Sequence, residues 1–194
     1  MRWPVWYSIP DEADGVSFFY MPLQTERLIL DVWQPSDWIG FRPIAQDPEV
    51  MRYITGGKPW TEEQIQTFVD RQIKLFDERG FCRWRLLDAT SREMIGFCGV
   101  GYWHDALEIG WWLARSYWGR GLATEAAQAA LRDVFERIGL ERVVSVARVE
   151  NMASRRIMEK LGMRYQREFE NEGVHLVQYE ILHADFAERA QFDV

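Results

Sequence analysis

A strand, a loop with two glycines and an alanine-rich helix follow one another between residues 106 and 138. "ALEIGWWLA" (106–114) reads as a strand, and "YWGRGLATEAAQAAL" (117–131) runs from the loop into the helix. Small and apolar residues share one face of that helix: Ala123, Ala126, Ala127, Ala130, Leu131, Val134 and Ile138. Because small side chains let a helix approach a sheet closely, the unit predicts a helix packed against a β-sheet.

The other elements are predicted to follow the order β–α–α–β–β–β–α–β–α–β–β. Thr61 and Gln64 form a capping box that begins a long helix, and Gly80 can end it. Asp47 and Pro48 begin a shorter one. Further strands are predicted from β-rich or alternating runs: 26–33, 81–87, 93–100, 142–149, 165–170 and 175–182. This order predicts an α+β (mixed α/β) chain with a mixed sheet covered by helices.

The chain has 194 residues, which suits one domain with a sizeable core. Residues 1–24 lack clear periodicity and are predicted to be an N-terminal extension. Residues 25–185 are predicted to form the domain, and 186–194 a C-terminal tail. The extension is expected either to cover a cleft or to make a contact in a homodimer.

The formal net charge is −7, which argues against a nucleic-acid partner, since nucleic-acid binders usually present a basic surface. No apolar run is long enough to span a bilayer, so no membrane partner is expected. The N-terminal stretch lacks the apolar core of a signal peptide. These features predict a cytoplasmic protein.

Cysteine and histidine usage predicts no metal site. Cys82 and Cys98 fall in neighbouring predicted strands and are expected to be half-buried thiols in a reducing compartment. The three histidines, His104, His175 and His183, are scattered along the chain rather than spaced as ligands.

The glycine loop is either an anion site or a tight entry into the helix. A helix N-terminus presents unpaired N–H groups, and glycines let a ligand approach the backbone. A P-loop is excluded because Leu122, not Lys, follows Gly121. A dinucleotide fingerprint fails because Thr124 stands at its third small position, and Glu141 precedes its strand instead of ending it.

Residues 118–123 resemble the Q/R-x-x-G-x-G/A loop of the GNAT superfamily of N-acetyltransferases. Both small positions match, at Gly121 and Ala123, whereas Trp118 replaces the usual Gln or Arg. "YWGRGLATEA" is similar to this loop in the RimJ/RimL-type branch, the ribosomal-protein N-terminal acetyltransferases. "TERLIL", "LEIGWWL" and "VENMASRRIMEKLGM" resemble further segments of that branch, in the same order over residues 25–185.

The resemblance implies the GNAT fold, a mostly antiparallel sheet splayed in the middle with helices on both faces. It also implies acetyl-CoA as cosubstrate, with the loop around its pyrophosphate and the pantetheine arm along 107–113. The implied donor-binding residues are Trp111, Trp112, Leu113, Arg115, Gly119, Arg120, Gly121, Leu122, Ala123, Thr124, Asn151 and Ser154. The N–H near Trp112 or Leu113 is the implied oxyanion donor.

Acetyl transfer to an amine needs a neutral amine, an oxyanion donor and a proton for the leaving thiolate. Glu108 is the leading candidate base, with a plain sheet-edge ion pair as the alternative. His104 and Asp105 are the runners-up. The resemblance implies that Ser154 protonates the thiolate and that Asn151 binds pantetheine or a water, although Asn151 is also a good helix cap.

An amine acceptor, either a protein N-terminus or a small molecule, is implied as the second substrate. Four aromatic residues are expected to wall its cleft: Trp60, Trp84, Tyr102 and Trp103. The alternative function on the same fold is a non-catalytic CoA-binding sensor or interaction module.

Overall fold

The computed structural model describes residues 7–9 and 18–190. Within these residues ten strands are present: β1 (Tyr7–Ile9), β2 (Phe18–Tyr20), β3 (Leu23–Gln24), β4 (Leu28–Asp31), β5 (Arg83–Asp88), β6 (Met94–Trp103), β7 (Ala106–Leu113), β8 (Arg142–Arg148), β9 (Arg164–Asn171) and β10 (Val174–Leu182). β1 and β2 pair only with each other. The other eight form one sheet in the order β3-β4-β5-β6-β7-β8-β10-β9.

Six α-helices are described: α1 (Trp38–Ala45), α2 (Pro48–Met51), α3 (Glu62–Arg79), α4 (Leu122–Arg132), α5 (Met152–Lys160) and α6 (His183–Ala190). The predicted capping box of α3 is confirmed, because Thr61 and Gln64 exchange hydrogen bonds between side chain and backbone. Gly80 ends the helix in the left-handed region, at φ 73°. Asp47 caps α2 through Glu49 N, as predicted.

All neighbouring strands of the large sheet run antiparallel except β7 and β8, which are parallel. Their register contains a single pair, Glu108 with Val144. Beyond that pair the two strands diverge, so the sheet is split in its middle. The predicted fold class is confirmed: a mixed, mostly antiparallel sheet that is splayed and covered by helices.

Aromatic side chains build the core between α1, α3 and the sheet. Phe68 of α3 lies 5.1 Å from Phe97 and 6.3 Å from Trp112, measured between ring centroids. Phe41 of α1 joins the same cluster. On the opposite face α4 packs against β6 and β7, with Ala126 and other small residues fully buried, as the sequence predicted.

The structure differs from the sequence expectation at the two ends of the sheet and in the helix after the loop. β3 lies within the predicted extension and pairs with β4. α6 crosses the predicted boundary at residue 185 and is anchored by Phe186, whose ring lies 5.3 Å from Phe135. The helix predicted to run to residue 138 changes at Asp133–Arg137 into a π-helical turn. α6 was not predicted, because a short helix with a single buried aromatic residue, Phe186, shows too weak a periodicity in the sequence.

No helix in the described ranges is long and apolar enough to cross a membrane. Among the same residues, no group of three or more His, Cys, Asp or Glu side chains is arranged to hold a metal ion. Cys82 and Cys98 are both free thiols and are fully buried rather than half-buried.

Candidate functional site

A cleft of about 480 Å³ occupies the split between β7 and β8. Residues 108–113 of β7 form one wall, and β8 with the start of α5 forms the other. The loop between β7 and α4 closes one end, and residues of α2 and the turn after it lie at the cleft as well. The split therefore opens a binding volume inside a sheet that is otherwise continuous.

The loop at residues 118–124 presents backbone N–H groups at this cleft. Gly119 and Gly121 adopt left-handed conformations, at φ 73° and 78°, which explains the need for glycine at both positions. No backbone N–H from residue 119 to residue 124 donates a hydrogen bond to another described residue. Gly121 is the N-cap of α4, so these donors coincide with the positive end of the helix dipole. The loop thus has the chemistry of an anion site.

A clamp from the turn between β3 and β4 holds the loop and the first turn of α4. Arg27 forms an ion pair with Glu125 and donates from Nη1 to the carbonyl of Arg120 at 2.9 Å. The Thr25 hydroxyl and the Arg27 backbone N–H also donate to the Glu125 carboxylate. Burial raises the pKa of Glu125, but these hydrogen bonds outweigh it and hold the pKa below its ordinary value. Glu125 is therefore ionised and fixes the helix start.

Trp118 ties the loop back to β7. Its indole Nε1 donates to the carbonyl of Leu113 at 2.8 Å, while 47% of the residue remains exposed. The side chain that replaces Gln or Arg in the loop pattern thus contributes an internal hydrogen bond and an exposed aromatic surface at the cleft.

The backbone of β7 turns alternate N–H groups toward the cleft. Ala114 N donates to Ile95 O, so the even-numbered residues of β7 bond to β6. The N–H groups of Trp111 and Leu113 consequently face the open edge. The N–H of Trp112 faces β6, and its side chain packs in the aromatic cluster, 4.7 Å from Trp60. Of the two expected oxyanion donors, the alternation favours Leu113 over Trp112.

Glu108 lies where β7 and β8 meet, at the apex of the split. Its carboxylate pairs with Arg83 of β5 at 2.5 Å, and only 12% of the side chain is exposed. Burial raises the pKa of the Glu108 carboxyl above its ordinary value, against the opposing effects of Arg83 and of the backbone at Val146. Glu108 therefore combines the expected ion pair with a position in the cleft lining, and its role as base stays a prediction.

Asn151 and Ser154 lie on the β8 side of the cleft. Asn151 caps α5, because its Oδ1 accepts from Ser154 N at 3.2 Å. The capping role predicted for Asn151 is confirmed, and the cleft position leaves a contact with a ligand available to both residues.

Several expected site residues lie away from the cleft lining. Trp84 is fully buried in the core, 5.2 Å from Phe76, so the expectation that it walls an acceptor cleft is wrong: alternation along β5 turns it inward. The others are outside the cleft lining as well: Trp60, Tyr102, Trp103, Arg115 and Arg120. Trp60 packs behind the cleft on Trp112, and Trp103 packs on Phe169.

Arg115 and Arg120 are exposed beside the loop, with the Arg120 guanidinium 5.3 Å from the centroid of Tyr117. The runners-up for the base, His104 and Asp105, lie exposed in the turn between β6 and β7, outside the cleft lining.

Sequence reasoning missed cleft residues that come from distant parts of the chain. Glu49 and Tyr53 reach it from α2 and the turn that follows, and Arg148 donates from Nε to the carbonyl of Tyr53 at 3.1 Å. Arg156 and Lys160 line it from α5. Of these residues, Arg156 is the one that the sequence itself offers as a contact for the phosphates, with a solvated helix arginine as the alternative.

Comparison with known proteins gives one consistent family. A family model described as an acetyltransferase (GNAT) domain matches residues 27–164. The uncharacterized N-acetyltransferase YnaD of Bacillus subtilis is 32% identical over 144 residues, which cover 74% of this chain and 83% of that protein.

Solved structures agree with this. A GNAT-family acetyltransferase from Bacillus anthracis is similar at a TM-score of 0.72 and 29% identity, covering 84% of this chain and 99% of that one. RimL, a ribosomal L7/L12 alpha-N-protein acetyltransferase in complex with coenzyme A, has a TM-score of 0.69 at 20% identity, covering 83% and 96%. The RimL similarity bears on the fold alone.

Proposed function

The chain belongs to the GNAT acetyltransferase family, and we propose that its cleft transfers the acetyl group of acetyl-CoA to a primary amine by direct attack in a ternary complex. Membership makes the protein an acetyl-CoA-dependent N-acetyltransferase. The observation that carries the proposal is the loop of N–H groups at residues 119–124, which stands at the end of the split between β7 and β8 and donates to no other described residue.

The loop fits a diphosphate because it combines accessible donors with open backbone at Gly119. A Cβ at Gly119 would meet nothing within 4 Å. A solved neighbour, RimL, was obtained with coenzyme A, which agrees with this use of the fold. In our proposal the pyrophosphate accepts from the N–H groups of residues 120–124, and Arg156 and Lys160 lie at the same cleft to add positive charge.

The open edge of β7 fits the remaining part of the donor. The N–H groups of Trp111 and Leu113 can pair with the amides of the pantetheine arm as a further strand would. In our proposal the Leu113 N–H also donates to the oxygen of the thioester as negative charge develops on it. A fixed donor at that oxygen typically contributes about 3–4 kcal/mol to transition-state stabilisation.

The chemistry then needs one proton acceptor and one proton donor. The amine nitrogen attacks the thioester carbon, the C–N bond forms, and the C–S bond breaks. We propose that Glu108 takes the proton lost by the amine, directly or through a water, and that the Ser154 hydroxyl passes a proton to the leaving thiolate and takes one back from water. Asn151 keeps Ser154 in place through the cap of α5.

A turnover assay tests the proposal. Purified protein is given acetyl-CoA and a panel of amines, comprising peptides with free N-termini and small primary amines, and thiol release is followed with dithionitrobenzoate. We expect release that depends on the amine, together with a 42-dalton acetyl mass increase on the acceptor. Acetyl-CoA binding by calorimetry without turnover on any acceptor would instead support the non-catalytic sensor. Absence of both would overturn the assignment of the cleft.

A further inference from the structure

Arg83 reaches the cleft apex from a strand that does not line it. β6 lies between β5, which carries Arg83, and β7, which carries Glu108. The guanidinium crosses this gap above two glycines. A Cβ at Gly101 would lie 2.5 Å from Arg83 Nη1, and one at Gly110 would lie 3.5 Å from Arg83 Nε. The absence of a side chain at Gly101 leaves room for the guanidinium, which passes within ordinary contact distance of Gly110.

The backbone of Arg83 is fixed on both sides. Its N–H donates to the side chain of Gln72, a buried residue of α3, at 3.0 Å. Its carbonyl accepts from the indole Nε1 of Trp33. The side chains of Gln72 in α3 and of Trp33 in the segment after β4 therefore hold the start of β5, and only 17% of the Arg83 side chain is exposed. These two hydrogen bonds fix the backbone of Arg83, and its guanidinium is directed at Glu108.

We propose that Arg83 is a positioning residue for acetyl transfer: its guanidinium, seated over Gly101 and Gly110, holds the Glu108 carboxylate ionised and aimed at the apex of the split. The inference rests on the proposed function, since it assigns Arg83 to the base of that reaction. Burial alone would favour the neutral acid, which cannot accept a proton from the amine. Arg83 supplies the opposing charge and, through its planar donors, a fixed orientation.

Other charged groups near the apex do not supply this charge. Glu49 lines the cleft from α2 and is itself an acid. Arg148 lines it from β8, but its Nε is engaged by the carbonyl of Tyr53. Among the described residues, Arg83 is the one that forms an ion pair with Glu108.

The titration of Glu108 measures this role directly. Full-length protein with ¹³C in the glutamate carboxyls is titrated by NMR, and the Glu108 signal is assigned from its loss in Glu108→Gln. In Arg83→Met the midpoint is expected to rise by about one pH unit or more, because removing an opposite charge at this distance has that effect. Arg83→Lys keeps the positive charge but loses the planar pair of donors, so its Glu108 midpoint is expected to lie between those of the wild type and Arg83→Met.

Gly101→Ala tests the same contact without touching Arg83. The new methyl group would collide with the end of a long side chain and not with backbone, so the guanidinium can move and the fold is retained. We expect the Glu108 midpoint to rise as in Arg83→Met. In either variant kcat at pH 7 is expected to fall about tenfold and to recover as the pH is raised.

Arg85→Met is the matched control. Arg85 lies on the same strand with 12% of its side chain exposed, and it pairs with Asp31 and Asp37. Its loss is expected to lower stability but to leave the Glu108 midpoint unchanged. If the wild-type protein turns over but folded Gly101→Ala or Arg83→Met keeps the Glu108 midpoint of the wild type, the role of Arg83 alone is overturned. If the wild-type protein shows no turnover on any acceptor, the proposed function is overturned instead.

Discussion

Replacement of Ser145 by alanine tests what joins the two halves of the sheet. β7 and β8 share one register pair, Glu108 with Val144. A buried side chain adds a hydrogen bond across the split: the Ser145 hydroxyl donates to the carbonyl of Ile109 at 3.0 Å. Ser145 is 2% exposed and Ile109 is fully buried, so water cannot easily replace the donor.

The expected cost follows from that burial. Ser145→Ala removes one hydrogen bond and leaves a buried carbonyl without its partner, which together cost about 1–3 kcal/mol. We take about 2 kcal/mol as the central value. For a chain of 150–250 residues, each kcal/mol shifts Tm by roughly 2–4 °C, so we expect a decrease of roughly 4–8 °C.

Urea unfolding, followed by circular dichroism, gives the free energy directly, and calorimetry gives Tm. Ser36→Ala is the control, because Ser36 is exposed and such substitutions change stability by less than about 0.5 kcal/mol. A Ser145→Ala protein within about 0.5 kcal/mol of the wild type, with an unchanged urea slope, would refute the view that this hydroxyl joins the half-sheets.

Three further outcomes are expected. Gly121→Val should weaken acetyl-CoA binding at least tenfold by calorimetry, because a β-branched residue is strained at φ 78° and would displace the loop backbone; unchanged affinity counts against the loop assignment. Ser154→Ala should lower kcat about tenfold or more if the hydroxyl protonates the thiolate, and wild-type kcat would exclude that role. Glu125→Gln should lower stability by about 1 kcal/mol at pH 7. Because the pKa of Glu125 is lower in the folded state, the wild type should lose this advantage as the pH falls through that pKa, and a difference constant with pH would contradict the clamp.

Local signals predicted the fold well because each depends on a few neighbouring residues. The capping box at Thr61 and the left-handed Gly80 are such signals, and both are present. The π-helical turn after α4 was missed because Asp133 and Arg137 form an ion pair four residues apart, which is equally typical of a regular helix. α6 was missed because its anchor, Phe186, acts through a contact far along the chain.

The candidate site was predictable where the backbone carries it and much less so where side chains meet through space. Gly119 and Gly121 are glycines, the residue type that favours the left-handed conformation found in the loop, so this part was predictable from the sequence. The pairing of Arg83 with Glu108 joins residues 25 positions apart across an intervening strand, and no local pattern encodes it. The prediction that Trp84 lines an acceptor cleft was wrong for a related reason. Alternation along a strand indicates that one face is buried, but it does not indicate which of the two faces carries a given aromatic residue.

The split has a consequence for amide hydrogen exchange. In most sheets the central strands exchange slowest with deuterium, because neighbours on both edges protect them. β7 is the fifth of eight strands, yet its Trp111 and Leu113 amides face a gap on one edge. These two amides should therefore label early, ahead of those in the flanking antiparallel pairs, and should become slow when a pantetheine chain completes the sheet.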